Sequence, residues 1–248
     1  MPRPKRVYKV GGPALEDPSL LAPLAREIEA FEGDVALVHG GGRQVERMLK
    51  QHGIESKFIE GRRETSPEAM GIVEMVLSGS MNQALSAGLS QAGVPSVGLS
   101  GRDGGLIRAV LVPGLGQVGS PDMIDASVLE ALWAARFVPV ISPVSSGPSG
   151  QAVNVNADEA AQWIARKIQA ETLVFLSDVD GVVLDGVSVP RLDEGVIKAR
   201  IEDGSIHGGM AMKVRMAMDA VRSGIPRVVI AGRARLSGGF PGTQISLQ

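Results

Sequence analysis

Short apolar runs and helical periodicities alternate along most of this 248-residue chain. Residues 7–10 and 35–38 read as buried strands, each followed by an amphipathic pattern, over 18–31 and 43–52. The spacing then predicts a long helix over 70–92, a strand over 95–99, and a strand pair over 106–112 and 117–119 about a Pro113-Gly114 turn. A helix over 123–135, a buried strand over 137–142, a turn-rich loop over 145–150 and a helix over 156–168 follow. A second series opens with a strand at 172–176. It continues with a short strand at 187–189, helices at 194–203 and 210–223, and strands at 227–231 and 242–247. Strands alternating with helices imply an α/β fold, a mostly parallel sheet covered by helices. The break between the two series sets a seam near residue 170, with lobes 1–170 and 171–248.

Composition narrows the possible chemistry. Hydrophobic residues make up 44% and charged residues 21%, with a formal net charge of −2, so no basic footprint for nucleic acid or an anionic membrane exists. Five Phe, two Trp and one Tyr offer little for base stacking. The absence of cysteine excludes disulfides, thiolate nucleophiles and cysteine metal sites. His39, His52 and His207 show no metal-ligand spacing, and no apolar stretch approaches the ~20 residues of a membrane span. The expected location is the cytoplasm, and no resident metal site is expected.

Glycine turns carry the candidate chemistry. Lys9-Val10-Gly11-Gly12 follows the first strand, and His39-Gly40-Gly41-Gly42 follows the second. Such turns bring main-chain N–H groups up to an anion, although a glycine pair after a strand also serves as a plain tight turn. No GxGxxG or GxxxxGK[ST] pattern occurs, which disfavours a dinucleotide fold and a P-loop. Gly61-Arg62-Arg63-Glu64-Thr65 offers an arginine fork for a carboxylate, or a solvated pair. In Asn154-Val155-Asn156-Ala157-Asp158, Asn156 suits a helix N-cap and Asp158 a first turn; functionally, Asn154 could bind substrate and Asp158 orient lysines. A third glycine turn, His207-Gly208-Gly209, enters a helix carrying Lys213. Ser177-Asp178-Val179-Asp180-Gly181-Val182 ends a buried strand, at the edge where open sheets bind ligands.

In this order, KVGG at 9–12, VHGGG at 38–42, GRRET at 61–65, GLSGRDGG at 98–105, VNVNAD at 153–158, LSDVDGVV at 176–183 and GGMAMKV at 208–214 resemble the amino-acid kinase family. The resemblance is greatest to members acting on N-acetyl-L-glutamate. It implies a three-layer αβα sandwich, with an amino-terminal lobe for the acyl acceptor and dimerisation and a carboxy-terminal lobe for ATP. It further implies that Lys9 and Lys213 stabilise the transferring phosphoryl group and that Asp158 organises them. Gly41, Gly42, Arg63 and Asn154 would hold the acceptor. Gly11, Gly12, Asp178, Val179, Asp180, Gly181, Val182, Val183, Ser205, Ile206 and His207 would line the nucleotide side. ATP with Mg²⁺ and a homodimer are implied as well.

Two departures fall on the acceptor side: the second arginine and the glutamate of Arg62-Arg63-Glu64, and Met81-Asn82-Gln83, which lacks the family's lysine after the asparagine. A kinase of carrier-linked aminoadipate or glutamate in lysine biosynthesis, and a non-catalytic nucleotide- or amino-acid-binding regulator, are the alternatives. With so few residues before the first strand, an interlacing amino-terminal helix is not expected, and neither is inhibition by arginine.

Overall fold

The computed structural model describes residues 3–11, 18–59, 61–236, 238–239 and 241–247. The first half runs β1 (Lys5–Val10), α1 (Leu21–Glu29), β2 (Asp34–His39), α2 (Gly42–Gln51), the hairpin β3 (Phe58–Ile59) and β4 (Arg62–Arg63), α3 (Pro67–Glu74), α4 (Asn82–Gln91) and β5 (Ser96–Ser100). Next come β6 (Ile107–Leu111), β7 (Val118–Ile124), α5 (Ser127–Ala134), β8 (Val138–Ser142), β9 (Val144–Ser146), β10 (Ala152–Val155) and α6 (Ala157–Lys167). The remainder is β11 (Thr172–Leu176), β12 (Val183–Leu184), β13 (Val187–Ser188), β14 (Arg191–Asp193), α7 (Glu194–Glu202), α8 (Gly208–Arg222), β15 (Arg227–Ala231), α9 (Arg233–Leu236) and β16 (Thr243–Ser246).

Eight strands form one sheet in the order β14-β16-β15-β11-β1-β2-β8-β5. Every neighbouring pair is parallel except β15 with β16. Alternation along each strand divides the core into two layers. Val7, Ala36, Val38, Leu173, Phe175, Val228 and Ile230 pack under α5, α6, α7 and α8. Tyr8, Val35, Leu37, Val174, Leu176 and Val229 pack under α1 and α4. Central parallel strands buried on both faces need such near-continuous apolar runs, and β11 is buried at all five positions. The result is the three-layer αβα sandwich expected.

Beside the sheet, β10, β7, β6 and β9 close into a four-stranded ring. Two expectations are corrected here. Residues 123 and 124 belong to strand β7, and the helix begins only at Ser127, because the Asp125 carboxylate accepts the Ser127 N–H at 3.0 Å and fixes a turn before it. Part of the expected loop at 145–150 is strand β9, whose residues pair with β10 to close the ring. The helix expected over 70–92 is a continuous rod from Pro67 to Gln91, started by the Ser66 hydroxyl, which accepts the Ala69 N–H at 3.1 Å. Its middle, Met75–Met81, is wound as a π-helix, a geometry often found beside functional sites. Leu77 of that segment faces the glycine turn of α2.

Candidate active site

The site is built at the carboxyl edge of the sheet. Strand alternation puts Lys9 on the same face as Val7, toward α6. There its ammonium pairs with Asp158 Oδ1 at 2.7 Å. Asp158 is held in place by its own helix cap: Asn156 Oδ1 accepts the N–H groups of Asp158 at 2.8 Å and Glu159 at 3.3 Å. The cap and the ion pair to Lys9 therefore share this turn. A Cβ at Gly11 would lie 2.6 Å from Lys9 Nζ, so the glycine keeps space open for the ammonium. Gly12 lies outside the described residues.

A cleft of about 200 Å³ opens on one side of this pair, between α2, β4 and β10. Gly41 and Gly42 start α2 at its wall, where the first N–H groups of a helix have no intrahelical partner. A Cβ at Gly41 would lie 2.7 Å from Leu77 Cδ2, whereas Gly42 faces open space. Asn154 lines the cleft, and its amide donates to Thr65 Oγ1 at 3.0 Å. Arg63 is buried. Its Nη1 donates to Glu46 and Ser56, its Nη2 donates to the Gly42 carbonyl at 3.0 Å, and its guanidinium lies 4.5 Å from the centre of the Phe58 ring. Burial lowers the Arg63 pKa, and Glu46 opposes that shift. Arg62 also lines the cleft, with its guanidinium on Glu159 at 3.1 Å.

A second cleft, of about 320 Å³, adjoins the first and shares Lys9, Gly11 and Asp158 with it. Its far wall is Phe175, Asp178, Lys213 and Met216. Lys213 projects from the second turn of α8, whose first residue, Gly208, has φ of +55°, in the left-handed region that suits glycine. Lys213 donates to Asp178 at 2.9 Å and to the Ser177 hydroxyl. These hydrogen bonds, Lys213 first, hold the Asp178 carboxyl down at about 2. One carboxylate was expected to organise both lysines. In this structure each has its own, Asp158 for Lys9 and Asp178 for Lys213.

The other residues expected on the nucleotide side are spread more widely. Asp180 accepts the Ala234 N–H at 2.7 Å, at the start of α9, and the Val179 carbonyl lies where a Cβ on Gly232 would fall. Gly181 is buried. Val182 and Ile206 are core residues whose N–H groups donate to Thr243 Oγ1 and the Arg200 carbonyl. Val183 is exposed in the β12–β13 hairpin. Ser205 and His207 are exposed, and the His207 ring lies 2.9 Å from the Gly204 carbonyl. Glu46, Ser56 and Glu159 escape sequence reading, because they become partners of Arg63 and Arg62 only through folding, as Thr65, part of the 61–65 run, becomes a partner of Asn154. Among the described residues, no three His, Cys, Asp or Glu side chains cluster to hold a metal, and no helix is long and apolar enough to cross a membrane.

Two adjoining clefts bridged by a lysine–aspartate pair, edged by helix N–H groups and a second lysine, suit a protein that moves a phosphoryl group between two anions. Residues 4–232 match the amino acid kinase family, and the chain belongs to it. It is 43% identical over 247 residues to the acetylglutamate kinase of Rubrobacter xylanophilus, a match covering 96% of this chain and 94% of that one. A solved protein of Streptococcus mutans shares the fold at a TM-score of 0.85 and 24% identity, covering 98% of this chain and 99% of that one. Carbamate kinase of Giardia shares it at 0.71 and 15% identity, over 100% of both chains.

Proposed function

We propose that the chain transfers the γ-phosphoryl group of ATP to the side-chain carboxylate of N-acetyl-L-glutamate, giving N-acetyl-L-glutamyl 5-phosphate and ADP, as in arginine biosynthesis. The observation that carries this is the Lys9–Asp158 pair standing in both clefts at once. It occurs in a chain 43% identical to an acetylglutamate kinase. The acceptor occupies the first cleft, on the Gly41 and Gly42 N–H groups, Arg63 and Asn154. ATP occupies the second.

A glutamate-type carboxylate has a pKa near ~4.3 and is ionised at neutral pH, so its attack on phosphorus needs no general base. The three histidines agree with this. His39 is fully buried, and the rings of His52 and His207 are hydrogen-bonded to the local Met48 and Gly204 carbonyls. As the new O–P bond forms and the bond to the leaving β-phosphate oxygen breaks, Lys9 and Lys213 bear on the charge shared between them. Asp158 fixes the Lys9 ammonium. When bound, Mg²⁺ would neutralise part of the phosphate charge.

The first cleft is lined by residues up to 158, and the far wall of the second by residues 175–216. That division supports an acceptor lobe over 1–170 and an ATP lobe over 171–248. A homodimer belongs to the same proposal. ADP release measured with N-acetyl-L-glutamate, L-glutamate and L-2-aminoadipate tests the function. A kcat/KM roughly 100-fold higher for the acetylated substrate is expected, because a site group left without the partner its amide supplies costs about 1–3 kcal/mol. No turnover with N-acetyl-L-glutamate would overturn it.

A further inference from the structure

His39 ends β2 immediately before the glycine turn and is entirely buried. Its Nδ1 lies 2.8 Å from the Gly40 carbonyl, and its Nε2 lies 3.0 Å from Asn82 Nδ2. The same Asn82 amide nitrogen faces the Val140 carbonyl at 2.8 Å and the Leu99 carbonyl at 3.2 Å. Two carbonyl acceptors fix that atom as the NH₂ group, since an oxygen there would face two oxygens. The Gly40 carbonyl can only accept, so Nδ1 must donate to it, and Nε2, facing an NH₂ group that cannot accept, carries no proton. The ring proton is therefore on Nδ1, where it is donated to Gly40. Burial agrees with a neutral ring, pushing the His39 pKa down to about 4.

The Gly40 carbonyl and the Gly41 N–H belong to one planar peptide unit, and no described peptide bond is cis. In a trans unit the two groups point in opposite directions. Holding the carbonyl toward the buried imidazole therefore turns the Gly41 N–H outward, on the side where Gly41 lines the acceptor cleft. Asn82 anchors the imidazole to β5 and β8 through Leu99 and Val140, so the plane is referred to the rigid sheet.

We propose that His39, as the neutral Nδ1–H tautomer held by Asn82, is a positioning residue that sets the Gly40–Gly41 peptide plane and so aims the Gly41 N–H at the acceptor. The proposal rests on the acceptor occupying the first cleft. Gly98 belongs to the same device, since a Cβ there would lie 2.1 Å from Asn82 Oδ1 and displace the amide.

Two measurements test it. Nitrogen NMR of the wild-type protein without ligands, with the three histidines assigned by comparison with H39N, should show His39 carrying its proton on Nδ1; a proton on Nε2 overturns the proposal. The second measurement compares H39N, whose amide nitrogen replaces the Nδ1 donor, with H39Q and H39L. Loss of one aligned hydrogen bond to the acceptor should raise its KM about tenfold in H39L and H39Q, with the KM for ATP held within about twofold and H39N within about threefold of wild type. Equal acceptor KM in H39N and H39Q overturns the proposal, and this pair serves even where H39L fails to fold. Wild-type protein inert toward N-acetyl-L-glutamate would sink the function instead, while the NMR result would still decide the tautomer.

Discussion

Lys9 and Lys213 sit on opposite sides of one junction, each beside a carboxylate and both lining the second cleft. Lys9→Ala and Lys213→Ala should each lower kcat by orders of magnitude with a smaller change in KM, since under the proposed function their main contact forms in the transition state. Steady-state kinetics on both variants checks this, and near-normal kcat in both would remove the assignment. Arg63 is a different case. Its fork serves Glu46, Ser56 and Gly42 together, a geometry that a lysine point charge cannot reproduce. Arg63→Lys should raise the acceptor KM far more than the KM for ATP. Arg62→Lys, which loses geometry only toward Glu159, should matter less. The reverse order would place the acceptor's carboxylate on Arg62.

Among the elements, the first turn of α6 both carries the Asn156 cap and holds Asp158 against Lys9. Asn156→Ala should cost about 1 kcal/mol of cap energy, a fall in Tm of roughly 2–4 °C for a chain of this size, and should also reduce kcat by loosening Asp158. A fall in Tm with unchanged kcat would show that Asp158 is placed by other contacts. Strand β1 is tied on its opposite face. Tyr8 donates to Glu27 of α1 at 2.8 Å and accepts from Arg6 at 2.9 Å, while Arg235 of α9 reaches the same Glu27 at 2.7 Å. Burial first, then Glu27, pushes the Tyr8 pKa up to about 12 from its usual 10. A group whose folded pKa is raised contributes stability that is present below the unfolded pKa and lost as pH rises through the folded value, here between 10 and about 12. Tyr8 is the only tyrosine, so phenolate absorbance reports it alone. Folded protein should ionise near 12 and urea-unfolded protein near 10. Ionisation of the folded form near 10 would show that the contact with α1 opens readily.

At the scale of the molecule, β1 lies between β2 and β11, so strands from both parts of the chain meet at the centre of one sheet. A single apolar cluster runs from Val7 and Val38 through Leu173 to Ile230. Heating should give one calorimetric transition, and a fragment of residues 171–248 should not fold, because β11 would lose β1 and the cover of α6. Two separate transitions, or a folded fragment by circular dichroism, would contradict this.

The chain's own order of apolar runs was enough for a mostly parallel sheet covered by helices, because central strands such as 172–176 are buried on both faces and carry that burial as a run, Leu173–Leu176, with no polar alternation; the three αβα layers were implied by the family resemblance. The glycine turns and Lys9, Asp158 and Lys213 were legible for a similar reason: each depends on residues adjacent in sequence, a strand end, a cap or a first helical turn. Tertiary structure alone decided the partners. Nothing in local sequence separates Asp158 from Asp178 as the partner of Lys213, or shows that Val182 and Ile206 close the core. Nor does it join His39 to Asn82, 43 residues away. Those choices follow from strand order and register, which bring distant side chains within hydrogen-bond reach only once the sheet has formed.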